Sequence, residues 1–269
     1  MGSYLGHLIP GVFFMFIGVW WLINILWIYA KSLRNSKKEK AFESFKSSTW
    51  FPVPVKRLCE IPIEPLLRMV LVVVGIGMEL TRIKWWWVNN HAHVAMYSAF
   101  LVWFTAEVLQ FYKVLELPSC SEHLFGSFAL FVEGLLFYFH LEGRSKMDQH
   151  LHVLLYVVIF TSAVVLVLEA WMKNSFLLVV VRSYLWLLQG TWFIQIALAI
   201  FSTKPWKNTK YNQEFVVIAF VWHTIAILTF VTISFAIVSC KVRGCRFRRN
   251  QRLEDVQMEL IDEEGWQGR

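Results

Sequence analysis

Histidine and carboxylate side chains recur at one depth of this 269-residue chain. His7, His91, His93, His140, His150 and His152, six of its eight histidines, stand at the ends of long apolar stretches, and His223 stands further inside another. Glu79, Glu133 and Gln189 fall within such stretches. Neutral imidazoles with carboxylates are the usual ligands of zinc, and three of them with a water make a hydrolytic site. The same groups can relay protons or sense pH. They can also tie helices together by hydrogen bonds and hold no ligand. Neither H-E-x-x-H nor H-x-x-E-H is present, so spacing alone leaves all three chemistries open.

A membrane bundle must position these residues. The chain is 57% hydrophobic and 17% aromatic, with 17% charged residues and a mean hydropathy of +0.50. A soluble domain carries about 25% charged residues. The basic residues behind the net charge of +7 sit in short runs beside apolar stretches, which is how topology is signalled, so no nucleic-acid partner is expected. Seven stretches approach the roughly 20 residues needed to cross about 30 Å of hydrocarbon. They run over Leu8–Tyr29, Leu66–Thr81, Ala92–Tyr112, Leu124–His140, His150–Trp171, Phe176–Phe201 and Phe215–Ser239. The expected fold is all-α, a polytopic bundle of seven transmembrane helices.

Orientation follows from lysine and arginine in alternate connections. One side holds nine in Lys31–Arg68, Lys113, Lys173 and six in Lys241–Arg252, 17 in all, against seven on the other. The N-terminus is therefore expected outside or in the lumen, and the C-terminus in the cytosol. Residues 1–240 form the transmembrane domain, including a basic cytosolic loop at 31–65 that is expected to be irregular. Residues 241–269 form a basic-then-acidic cytosolic tail. Cys59, Cys120, Cys240 and Cys245 then lie on or near the cytosolic edge, where thiols stay reduced. Cys240 and Cys245 flank a basic run, a setting for S-palmitoylation or for two unmodified interfacial thiols. Anionic lipid is the partner expected at the basic loop and tail.

Helical periodicity narrows the interior. His93, Tyr97, Phe100, Phe104 and Glu107 share one face of the third span, and Glu133 and His140 share one of the fourth. Glu64 and Arg68 stand at ion-pair spacing on the approach to the second. The set expected to line an interior opening toward the lumen is Glu79, His93, His140, His152 and His223, with Tyr97, Glu133, Gln189 and Gln195 as further polar core. Glu107, Glu169 and Arg182 lie toward the cytosolic third, where an ion pair is expected. Trp20-Trp21 and Trp85-Trp86-Trp87 read as interface anchors, and Gly11 and Gly18 as a close helix contact.

These residues carry a resemblance. Gly6-His7-x-x-Pro10-Gly11-x-Phe13-Phe14 with Gly18-x-Trp20-Trp21, His93-x-x-Met96-Tyr97, Phe131-Val132-Glu133, His140-x-x-Gly143-Arg144, Leu188-Gln189-Gly190-x-Trp192-Phe193-x-Gln195 and Trp222-His223 are spread over nearly the whole chain. Together they resemble the transmembrane protein 45 family, also known as domain of unknown function 716, and within it the transmembrane epididymal branch. The resemblance implies a multi-pass membrane protein of undetermined activity. It also implies a second histidine where this chain has Glu142, so a metal site using that position would need Glu142 or be lost.

The function expected is non-enzymatic, binding or interaction within the membrane. The competing class is a zinc-dependent intramembrane hydrolase, or an ion or proton transporter, using the lumen-facing histidines and glutamate.

Overall fold

A computed structural model of the chain describes residues 3–34, 45–55, 57–81, 88–139 and 141–267, with backbone alone for 88–89 and 245–267. The described residues form seven helices: α1 (Tyr4–Arg34), α2 (Ile63–Thr81), α3 (Val88–Phe111), α4 (Ser121–Phe139), α5 (Lys146–Trp171), α6 (Phe176–Phe201) and α7 (Lys210–Gln267). Six are long and apolar enough to cross a membrane, the exception being α2. Glu64, Arg68 and Glu79 lower the hydropathy of α2, but two of these turn inward: Glu64 and Arg68 are buried. Its outward residues Leu67, Val70, Leu71, Val73 and Val74 are aliphatic and exposed.

Apolar residues continue around every helix because both environments are apolar. Phe16, Trp27, Phe128, Leu177 and Trp222 point outward and are exposed, as lipid-facing positions require. The protein interior is instead marked by bulk and by polar groups. Trp21, Trp103, Trp186, Trp192, Arg68 and Arg182 are all fully buried.

Helix α6 is the axis of the bundle and packs on α1, α5 and α7. The α1–α6 crossing depends on small residues. A Cβ on Gly190 would lie 2.6 Å from Met15 N, and one on Gly11 would lie 2.9 Å from Gly190 O. The Ser183 hydroxyl donates to Gly18 O at 2.9 Å in the same seam. With no hydrophobic effect between helices in lipid, such close backbone approach is what holds them together.

The loop between α1 and α2 is irregular over residues 45–55, as expected, and Phe45, Thr49 and Phe51 in it are buried against the bundle. Trp20 and Trp21 are not interface anchors: both indoles donate to the Glu64 carboxylate, at 2.9 and 2.8 Å. A buried carboxylate needs donors, and two adjacent indoles on α1 provide them. The helix expected to end near Ser239 runs unbroken into the tail. Trp85-Trp86-Trp87 lie outside the described residues.

Candidate functional site

Titratable side chains gather at both ends of the bundle. At one end lie the start of α1 and α5 and the end of α2; at the other lie the start of α2, α4 and α6 and the end of α3 and α5.

The first end holds the histidines singled out above, in separate groups. His93 Nδ1 lies 3.3 Å from Glu79 Oε1, an α2–α3 pair with the imidazole 41% exposed. Tyr97, one turn below, packs its ring on Gly75 of α2, 3.2 Å from where a Cβ would stand. His152 is buried on α5, its Nδ1 2.7 Å from Asp148 Oδ1. Its Nε2 faces His7 Nε2 at 3.4 Å. His7 was not in the expected set, yet it is buried and its Nδ1 lies 3.1 Å from Ser3 O. Arg144 completes this group with 3.0 Å to Asp148 Oδ1.

His223 stands half-buried against Trp192, ring centroids 5.5 Å apart. Gln189 donates to Glu133 at 3.1 and 3.2 Å, joining α6 to α4 deep in the bundle. Gln195 is half-buried, and His140 lies outside the described residues. Among the described residues, Glu79, His93, His152 and His223 do not come within mutual ligand reach as a group of three.

The opposite end is more densely charged. Arg68 Nη2 donates to Glu107 Oε2 at 2.7 Å and lies 3.5 Å from Glu64 Oε1. Its guanidinium stacks over Phe104 at 4.6 Å. Arg182 Nε lies 3.4 Å from Glu169 Oε1, and its guanidinium stacks over Trp21 at 4.3 Å. All five ionisable groups are buried. The pairing foreseen for Glu169 and Arg182 is present, while Glu107 pairs instead with Arg68 on α2.

A strap from the α1–α2 loop, residues 45–51, threads through these groups. Ser47 donates to Glu169 Oε2 at 2.5 Å, and Thr49 donates to Glu107 Oε1 at 2.5 Å. Arg182 Nη2 donates to Ser48 O at 2.6 Å, and Phe51 N donates to Glu64 Oε2 at 2.8 Å. The strap therefore supplies a contact to each buried carboxylate and to one of the two guanidiniums. Ionised groups in such a setting cost several kcal/mol each unless paired and hydrogen-bonded, so strap and helices form one unit.

His123, which the sequence did not flag, is fully buried at this end. Its Nε2 lies 3.1 Å from Ser47 Oγ, and its Nδ1 lies 3.4 Å from Glu122 Oε1. Cys120, Glu122 and His123 each offer a ligand atom, and these atoms lie within 4.8 Å of one another. Cys120 is outside the apolar spans. Burial pushes its thiol above the usual range, the Glu122 charge adds to this, and Lys173 opposes it. Cys240 is exposed on α7, and the side chain of Cys245 lies outside the described residues.

Residues 119–236 match a family described as a family of unknown function, DUF716. Transmembrane epididymal protein 1A of Mus musculus is 26% identical over 238 residues, covering 83% of this chain and 76% of the relative. Transmembrane epididymal protein 1 of Rattus norvegicus is 24% identical over 240 residues, with the same coverages of 83% and 76%. The protein of that name from Homo sapiens is 28% identical over 101 residues, 36% of this chain and 37% of its own. With six helices able to span a bilayer, the chain is an integral multi-pass membrane protein that resembles the DUF716 family of unknown function and the transmembrane epididymal proteins.

Proposed function

We propose that this chain is a seven-span membrane protein, N-terminus outside and C-terminus cytosolic, that acts by binding within the membrane rather than by catalysis. The seventh crossing is α2: its 19 residues reach about 28 Å at 1.5 Å per residue, with Glu64 and Arg68 turned inward and aliphatic residues outward. The orientation rests on the 17-to-seven distribution of basic residues. It puts the strap and the Arg68 and Arg182 pairs on the cytosolic side and the His7–His152 contact on the lumenal side.

The observation that carries the binding reading is a groove of about 430 Å³ between α4 and α5, lined by Leu124, Phe128, Phe131, Phe160, Val164 and Val167 over a floor of Ser127 and Ala163. It is an open, almost wholly apolar groove rather than an enclosed pocket. It lies on the outward face of two helices long and apolar enough to cross a bilayer, so hydrocarbon is what meets it, and a lipid acyl chain is the occupant it suits. A photoreactive acyl lipid in nanodiscs should label α4 and α5, and Ala163→Phe, which fills the floor, should lower that labelling several-fold. Equal labelling of the two proteins would remove the groove as a site. Anionic lipid at the basic 31–65 loop and at 241–252 belongs to the same reading, tested by salt-sensitive binding of tail peptide to anionic vesicles.

A second reading is favoured by the His7–His152 contact. Asp148 and Ser3 O take the Nδ1 hydrogens of the two rings, so both Nε2 atoms, 3.4 Å apart, present lone pairs to each other. A shared proton or a bridging cation reconciles them. This supports a proton- or ion-handling site on the lumenal side, the class to which a transporter or a zinc-dependent hydrolase also belongs. Tag accessibility from each side tests the orientation. Reconstituted vesicles under a pH gradient test the second reading, with proton flux that disappears in His152→Phe as its expected result.

A further inference from the structure

We propose that Cys120, Glu122 and His123, at the start of α4, form a divalent-cation site suited to zinc. It is separate from the lumenal histidines and from the lipid-facing groove. Thiolate, carboxylate and imidazole are all established zinc donors, and three protein ligands leave the fourth position to water. One ligand atom from each residue lies within 4.8 Å of the other two.

The hydrogen-bond partners around His123 point to a cation. Ser47 Oγ lies 2.5 Å from Glu169 Oε2 and 3.1 Å from His123 Nε2. A hydroxyl has one proton to give, and an ionised carboxylate can only accept. Ser47 therefore donates to Glu169 and accepts from His123 Nε2–H. In the neutral ring this leaves Nδ1 as a bare lone pair. That atom is buried, and among the described residues it has no hydrogen-bond partner. It faces the Glu122 carboxylate at 3.4 Å, and a lone pair opposed to a carboxylate is repulsive unless positive charge lies between them.

The spacing suits a metal. Two donors about 2.1 Å from one tetrahedral zinc lie about 3.4 Å apart. Glu169 and Ser47 meanwhile orient the imidazole from its far side, the arrangement in which a carboxylate beyond a ligating histidine fixes its tautomer. On binding, Cys120 Sγ releases its proton to water and the thiolate joins the metal. Lys173, which donates to Ser119 Oγ at 2.6 Å, borders the site and helps hold the thiolate.

The test uses the full-length chain in detergent, loaded with zinc or cobalt and desalted. The expected result is one zinc per chain and, with cobalt, a thiolate-to-metal charge-transfer band. Cys120→Ser should abolish the band and weaken zinc binding at least tenfold, and Glu122→Gln should weaken binding while keeping the band. Because Cys120 is half-buried in a turn, its substitution leaves the helices in place. Three results would overturn the site: wild-type protein without zinc above trace, cobalt bound with no thiolate band, or equal zinc in wild type and Cys120→Ser. The first would leave the His123–Glu122 contact with no metal in it. The last would move the metal elsewhere in the chain, with the His7–His152 contact the next candidate.

Discussion

At the Arg68 end, three buried carboxylates and the Arg182 guanidinium are threaded onto the strap, with Arg68 joined through Glu64 and Glu107, and all three carboxylates accept from the strap. At the His7 end, His152 meets His7 across 3.4 Å and Glu79 meets His93 across 3.3 Å, in two contacts tied to different helices. Both ends put titratable groups into a membrane bundle. They differ in the charge each must hold. Arginine is charged at any physiological pH and must be paired wherever it is buried, so the Arg68 end is built as one connected network, although Arg68 Nε and Nη1 and Arg182 Nη1 have no hydrogen-bond partner among the described residues. Histidine can shed its charge, so the other end tolerates separate groups, one of them with its imidazole 41% exposed. Obligatory pairing belongs to the first end and separate contacts to the second.

The largest effect should follow from removing one guanidinium. Arg68→Met leaves Glu64 and Glu107 buried without their shared counter-charge, at a cost of about 3–5 kcal/mol. Little folded protein should survive detergent extraction, as read by fluorescence-detected gel filtration and thermal unfolding. Adding Glu107→Gln should restore part of the loss. An unchanged melting temperature in the single variant would show that the network is not what closes this end.

Next in size is the strap. Ser47→Ala and Thr49→Val each take a hydroxyl donor from a buried carboxylate, worth about 1–3 kcal/mol. Part of this should appear locally, as faster proteolysis and hydrogen exchange over residues 45–51 before global unfolding. The same substitutions at exposed Thr232, on α7, should do neither. If hydrogen exchange over 45–51 changed no more than elsewhere, the strap would be passive loop.

The sequence made the helices legible and the network only in fragments. The expected Phe176–Phe201 span has the ends observed for α6, because Ser175 caps it and its apolar run stops at Ser202. Gly11 and Gly18 signalled the α1 seam, and their partners on α6, Gly190 and Leu187, emerge only in three dimensions. Glu64 with Arg68, and Glu169 with Arg182, could be read from spacing and shared depth. The strap could not, since serine and threonine in a loop carry no periodicity. His123 was passed over because it sits alone at the far end from the other histidines. Depth and the period within each helix placed Glu79, His93, His140, His152 and His223 together; neither fixes how one helix is turned toward another, and Glu79 with His93, His152 and His223 make separate contacts.

A smaller effect concerns Cys120 and has a definite sign. Its raised thiol pKa means a smaller thiolate fraction at neutral pH than an ordinary cysteine, whose pKa is about 8.5. In a chain with Cys59, Cys240 and Cys245 changed to Ser, alkylation should be slow at pH 7. It should keep rising about tenfold per pH unit beyond the point where a free thiol levels off. Zinc should suppress the reaction across the whole range if Cys120 is a ligand. A plateau at the ordinary thiol value would contradict the burial of this side chain.

The smallest effect is expected at the Glu79–His93 contact, and it most sharpens the difference between the two ends. The two atoms are 3.3 Å apart, as close as many strong pairs, yet the imidazole is 41% exposed and Glu79 is 15% exposed. Partly solvated pairs of this kind contribute about 0–1 kcal/mol, because water or headgroups replace the lost partner. His93→Ala should therefore shift the melting temperature by no more than a degree or two, and Glu79→Gln should do the same. His152→Phe should cost more, because it leaves Nε2 of the buried His7 ring without its partner and takes from Asp148 one of its two contacts, Arg144 being the other. Comparing these variants in one detergent separates distance from burial. If His93→Ala destabilised the protein as much as His152→Phe, the exposed pair would have to be part of a larger assembly at this end, and the division of the His7 end into separate groups would fail.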